Sequence, residues 1–188
     1  MINYLRIVFA IPLLLFVLSC STTPSGPTVA SGGDPALDAR AQAALQRLVT
    51  ETPKAKELQA QAKGVLVFPD VAKAGLIVGG EGGKGVMFGP DGRVTGYYRV
   101  GAMSVGLQAG AQSFSQVMFF MTDSAITALT SGSGLSVGTG PNIVVVDAGM
   151  AKSMTTTTMK SDVYAFIFGQ EGLMAGIGLQ GQHITKYQ

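Results

Sequence analysis

Side chains able to do covalent or metal chemistry are scarce in this chain. Its 188 residues hold one cysteine, one histidine and no tryptophan. A single thiol cannot close an intrachain disulfide or supply a multi-cysteine zinc or iron–sulfur site. His183 lies five residues from the C-terminus, in a tail expected to fray, so a Ser-His-Asp triad or a multi-histidine metal site would hang on one loosely held ring. The acids Asp70, Glu81, Asp91, Asp123, Asp147, Asp162 and Glu171 each adjoin a turn signal, where solvated or capping carboxylates belong. No spacing pairs two of them as general acid and base. Gly80-Glu81-Gly82-Gly83-Lys84-Gly85 matches G-x-G-x-x-G in form, but Val86-Met87-Phe88 follows in place of a helix whose amino terminus could hold a phosphate. A P-loop is excluded too, since Gly83-Lys84 is followed by Gly85 and Val78 stands where its first glycine belongs. The run reads as a glycine-rich loop joining two strands. No catalytic, metal-binding or cofactor-binding residue emerges, and a non-enzymatic protein is expected.

Cys20 is the exception. Ile7 to Leu18 is an apolar run broken only by Pro12 and preceded by Arg6. It is too short for a bilayer span of about 20 residues and fits the apolar core of a secretory signal of about 7–15. It ends in Val17-Leu18-Ser19-Cys20, a lipobox-like sequence in which a thiol is required because diacylglycerol attaches as a thioether. Cleavage before Cys20 and acylation of the new amino group would follow. Residues 1–19 thus read as a signal peptide and 20–33, rich in Ser, Thr, Pro and Gly, as a flexible tether behind the lipidated cysteine. Two or three acyl chains anchor stably without a basic patch. With Ser21 and not Asp after the cysteine, the outer membrane is the expected destination, with the protein facing the periplasm.

Residues 34–188 must supply the fold. The formal net charge of +2 is too balanced for an electrostatic nucleic-acid binder. Without residues 1–19 the chain loses Arg6 and is nearly neutral, with 12 basic and 11 acidic side chains. Asp34-Pro35 is a helix start, and Leu37, Ala41, Ala44, Leu45 and Leu48 share one helical face. Thr52-Pro53 starts a second helix, for which Gly64 is the expected stop. Both read as a layer packed on a sheet. Nine short strands are then predicted: Val65–Phe68, Ala74–Val78, Gly85–Phe88, Val94–Val100, Ser104–Ala111, Gln116–Met121, Ile143–Val146, Val163–Phe168 and Ala175–Leu179. A helix beginning at Thr122 or Asp123 interrupts them. Gly89-Pro90-Asp91-Gly92 is a hairpin turn, Met118 to Met121 reads as core, and Thr155 to Thr158 as an exposed loop or edge strand.

Glycine makes up 26 residues, of which 23 lie between Gly64 and Gly181. Glycines inside strands mark bulges, tight corners or close approach of another backbone. The expected fold is therefore α+β, with N-terminal helices packed on a curved or barrel-like, mainly antiparallel, glycine-rich β-sheet.

Three groups of residues carry a family resemblance. Ala62-Lys63-Gly64-Val65-Leu66-Val67-Phe68-Pro69, followed by Lys73-Ala74-Gly75-Leu76-Ile77-Val78-Gly79-Gly80 and Gly85-Val86, resembles the opening of the SYLF domain. Ser104 to Gln112 resembles its central signature, and Asp162 to Phe166, Gly172 to Gly176 and Leu179-Gln180-Gly181 its end. The resemblance implies a lipid-binding module. Eukaryotic members bind phosphoinositide membranes and some bind actin, while bacterial relatives are commonly secreted lipoproteins. It makes Lys63, Lys73 and Lys84 the candidates for lipid-headgroup contact. Actin is expected as a partner only if the protein meets a host cell, and no motif specifies another protein partner. The alternative reading is a structural or assembly lipoprotein of the envelope that binds protein or peptidoglycan.

Overall fold

The computed structural model describes residues 33–105, 110–154, 160–172 and 181–188. The expected signal peptide, Cys20, the Thr155–Thr158 run and the expected strand Ala175–Leu179 lie outside these residues.

Two helices open the fold. In α1 (Pro35–Glu51) the Asp34 carboxylate accepts from the Leu37 amide and Pro35 occupies the first turn, where its missing N–H is not needed. Pro53 cannot continue that helix, so the chain turns at Thr52 into α2 (Pro53–Gln61). The α2 helix ends at Ala62, and Gly64 is already the first residue of β1 (Gly64–Gly75), not the helix stop the sequence suggests.

The strands β2 (Val78–Phe88), β3 (Val94–Val105) and β4 (Gly110–Phe120) follow, then α3 (Asp123–Thr130), β5 (Leu135–Ser136), β6 (Ile143–Val146), α4 (Ala148–Ser153), β7 (Val163–Gly172) and β8 (His183–Lys186). All eight strands form one sheet in the order β5-β8-β3-β2-β1-β4-β7-β6, strongly curled into a half-barrel. Every pairing is antiparallel except β6 with β7. The expected α+β architecture is the observed one.

Central strands here are buried on both faces, which is why they read as continuous apolar runs. Val65, Val67, Val86, Phe88, Tyr97, Val117 and Phe119 point to the helices and meet Leu37, Ala41, Leu48 and Leu58. Leu66, Phe68, Met87, Tyr98, Val100, Phe114, Met118 and Phe120 point into the curl, where α3 contributes Ala125 and Leu129, and β5 and β8 contribute Leu135 and Ile184. Met118, Phe119 and Phe120 are thus core residues, as their sequence suggests.

The sheet is longer-stranded than its sequence implies. Ala74–Val78 is not a strand of its own; it is the end of β1, a tight connection and the first residue of β2. Ser104–Ala111 likewise divides between the ends of β3 and β4, with 106–109 outside the described residues. The Gly80–Gly85 run is not a loop but the interior of β2, paired on both sides. Gly85 explains the choice of residue, because a Cβ there would come 2.5 Å from the Phe68 ring and 2.8 Å from the Val67 carbonyl oxygen. Pro69, which cannot donate to a neighbouring strand, sits in an irregularity of β1 where the register with β2 shifts between Val67 and Asp70. His183 does not fray: it pairs with Gly101 of β3 and Ser136 of β5.

Candidate functional site

The helices cover only part of the sheet. β1 is buried from Gly64 to Pro69 and again at Val71, and β2 from Gly85 to Phe88, while β1 from Ala72 and β2 up to Lys84 alternate between exposed and half-buried. At that far end the β1–β2 hairpin carries Leu76, Ile77 and Val78, which are 75%, 64% and 58% exposed, and the neighbouring β3 carries Met103, 83% exposed. Among the described residues the remaining exposed large hydrophobics, Val94, Val145 and Met150, are no more than 40% exposed, so the four most exposed apolar side chains share one end of the molecule. Gly75 and Gly79 pair directly across the hairpin. A Cβ on Gly75 would come 2.6 Å from the Gly79 Cα, so glycine allows the two strands to close tightly under an apolar tip. The register of Val78 opposite Val105 and Gly80 opposite Met103 sets the methionine beside that tip.

A polar cluster lies behind it. Lys73 and Glu81 are cross-strand partners on β1 and β2, and Gln112 of β4 faces Lys73 from the other side. Buried Gln116 and Gln182 exchange hydrogen bonds of 3.1 and 3.2 Å, and the Gln182 amide also donates to the Glu81 carboxylate. Burial raises the Glu81 pKa above its ordinary value, opposed by the bond from Gln182 and the charge of Lys73. The Gln112 Nε2, also buried, has no hydrogen-bond partner among the described residues. Gln116 and Gln182 let a half-buried carboxylate keep a hydrogen bond at the mouth of an otherwise apolar interior.

The three lysines suggested by the family resemblance do not come together. Lys63 sits at the opposite end of β1, with its ammonium 3.7 Å from Asp123. Ten residues of strand, about 30 Å, separate it from Lys73. Lys84 lies between them, 5.8 Å from the centre of the Tyr187 ring, which the Arg99 guanidinium also approaches at 5.2 Å. Of the three, only Lys73 stands close to the apolar end. The sequence reading missed Leu76, Ile77, Val78 and Met103 as a group. The signal was present: an apolar triplet enclosed by Gly75 and Gly79 is too short between its glycines to be a strand.

His183 Nδ1 and the Ser136 hydroxyl are 2.8 Å apart, but the pair is exposed and, among the described residues, no carboxylate engages the other ring nitrogen. Among the described residues no group of three His, Cys, Asp or Glu could hold a metal ion, and no helix is long and apolar enough to cross a membrane.

The geometry therefore defines an α+β module with an exposed apolar cluster at one end, backed by a cross-strand lysine–glutamate pair. Residues 101–188, from within β3 to the C-terminus, match the family model described as Ysc84, Las17-binding protein actin regulator, in keeping with the SYLF resemblance of the sequence. No curated protein matches the chain.

Proposed function

We propose that the protein is a membrane-anchored lipoprotein whose SYLF domain binds lipid surfaces without catalysing a reaction. The observation that carries this reading is the cluster of Leu76, Ile77, Val78 and Met103 in water at one extremity. Each such side chain contributes about 1.5–3 kcal/mol when fully removed from water. An exposed apolar group of this kind marks an interaction site when scattered singly exposed residues would not. The near-neutral charge without residues 1–19 supports binding governed by apolar insertion more than by anionic lipid. The acyl chains on Cys20 would hold the protein at the membrane, and the domain would add its own contact. Lys73 is the best placed of the three lysines to meet a headgroup.

The family description names Las17 binding and actin regulation, and this favours a second reading in which the exposed end docks a protein. Vesicle co-sedimentation separates the two. A chain beginning at Ser31, which keeps every described residue, should pellet with phosphatidylcholine vesicles and modestly more with anionic ones. Pelleting no greater than that of a control protein would overturn the lipid reading and leave the protein-partner one. The anchor is tested separately, since Cys20→Ala should release the protein from the membrane fraction, and unchanged retention would refute lipidation.

A further inference from the structure

The faces of the strands leading to the apolar tip differ in a way that bears on how it meets a membrane. On the helix-side face, Ala72, Ala74, Gly80, Gly82 and Gly101 separate the tip from the first charged row, in which Asp70 pairs with Lys84 and Lys84 with Arg99. A Cβ on Gly80 would meet nothing within 4 Å, and on Gly82 or Gly101 only a carbonyl oxygen at 3.9 Å, so packing within the described chain does not require these glycines. That face stays uncharged for four residues from Met103 to Arg99, about 14 Å. On the other face, Lys73 and Glu81 come three residues behind Leu76 and Val78, about 10 Å. A charged pair at that level matches the depth of about 5–10 Å to which interfacial elements enter the headgroup and acyl boundary.

The other end of the measurement is the tether. The Asp34 amide donates to the Tyr97 hydroxyl at 3.0 Å, so α1 begins over Tyr97. Tyr97 is six residues, about 20 Å, from Met103 on the same strand face. Cys20 to Gly33 is 14 residues, and a chain of its composition has a root-mean-square reach of about 19–22 Å. Effective concentration is greatest when reach matches span.

Resting on the anchored reading above, we infer that the β1–β2 hairpin tip is a second attachment to the same membrane as Cys20. Leu76 and Ile77 enter the acyl boundary down to the Lys73–Glu81 row, and the central strands stand toward the membrane normal. The tip carries three consecutive apolar side chains, 75%, 64% and 58% exposed, on the short connection between two strands, which suits insertion between lipids better than docking on a flat protein surface.

The test uses the full chain, produced lipidated and reconstituted in phosphatidylcholine vesicles. With Cys20 acylated, Ile77→Cys supplies the one free thiol for an environment-sensitive fluorophore, and Asp91→Cys supplies the same label in the turn between β2 and β3. Nitroxides on the acyl chains should quench the label at 77 several-fold more than the label at 91. Removing Thr22 to Ala30 leaves five tether residues, about 17 Å when extended, and should abolish the difference while the protein still pellets. Equal quenching at the two positions in a protein shown by mass to be acylated would overturn the second attachment and leave the anchor standing. A label at 77 that responds to protein concentration without vesicles would also overturn it, assigning the tip to a second copy. Mass showing Cys20 unmodified, together with a chain that does not pellet, would overturn the anchored reading itself.

Discussion

Glu81 is the titratable side chain whose surroundings matter most to the apolar end. Facing it are Lys73 from β1, Gln182 from the segment before β8, and Gln116 of β4 through Gln182. Its pKa is raised, chiefly by burial. The stability it confers is therefore fully present below the ordinary carboxylate range and is lost as pH rises through the folded-state value. Glu81→Gln keeps an acceptor for Gln182 and removes the charge. Its melting temperature should equal that of the parent near pH 4 and exceed it at pH 7, by no more than a few degrees because the group is partly solvated. A parent that gains on the variant with rising pH would contradict this. The glycines of β2 differ among themselves in the same residue-level way. Gly85→Ala should destabilise by about 1–3 kcal/mol in urea unfolding, because the new methyl meets the Phe68 ring and a backbone oxygen. Gly82→Ala, with 3.9 Å to its nearest neighbour, should stay within about 0.5 kcal/mol. The glycine excess was plain in the sequence, but which glycine is packed and which is open depends on the partner strand, and that is set by register.

At the scale of elements, the contact between α1 and β3 sets where the chain enters the domain. The Tyr97 hydroxyl receives the Asp34 amide and donates to the Asp38 carboxylate at 3.1 Å, while the other Asp38 oxygen is buried without a partner among the described residues. Tyr97→Phe should therefore cost about 1–2 kcal/mol in urea unfolding. It should also loosen the first turn of α1, read as faster amide exchange at Leu37 and Asp38. Local signals made α1, α2, α3 and the Gly89–Gly92 turn legible, because capping residues, prolines and a positive-φ glycine act within a few positions. Gly92 indeed has φ of 75° and donates to the Gly89 carbonyl. The boundaries of β1 to β4 were not legible, since small residues carry no alternating pattern and only pairing with a neighbour keeps Gly79 to Gly83 extended. The short elements β5, β8 and α4 were missed for a related reason: their stability comes from edge pairing and packing against distant segments, as with Ile184 under Leu135.

At the scale of the molecule, curling brings Leu135 and Ile184 from one edge and Val163 and Ala165 from near the other onto one interior with α3. The strand order, that closure and the burial of both faces were beyond reach of sequence patterns, although the α+β class, the antiparallel bias and the curvature of the sheet were within it. The candidate site shows the same division. Lys73 could be named from the family resemblance, but its separation from Lys63 and Lys84 and its place behind Leu76, Ile77 and Met103 follow from topology alone. Lipid binding by the apolar end is the central claim. Vesicle co-sedimentation of the chain from Ser31, with and without the double change Leu76→Asp and Ile77→Asp, tests it most directly. These residues lie on an exposed hairpin tip, so the fold should persist, as circular dichroism can verify. Apparent affinity for phosphatidylcholine vesicles should fall by more than about a hundredfold, since two side chains lose their burial and two charges would have to enter the interface. Binding unchanged in a folded double variant would contradict the claim.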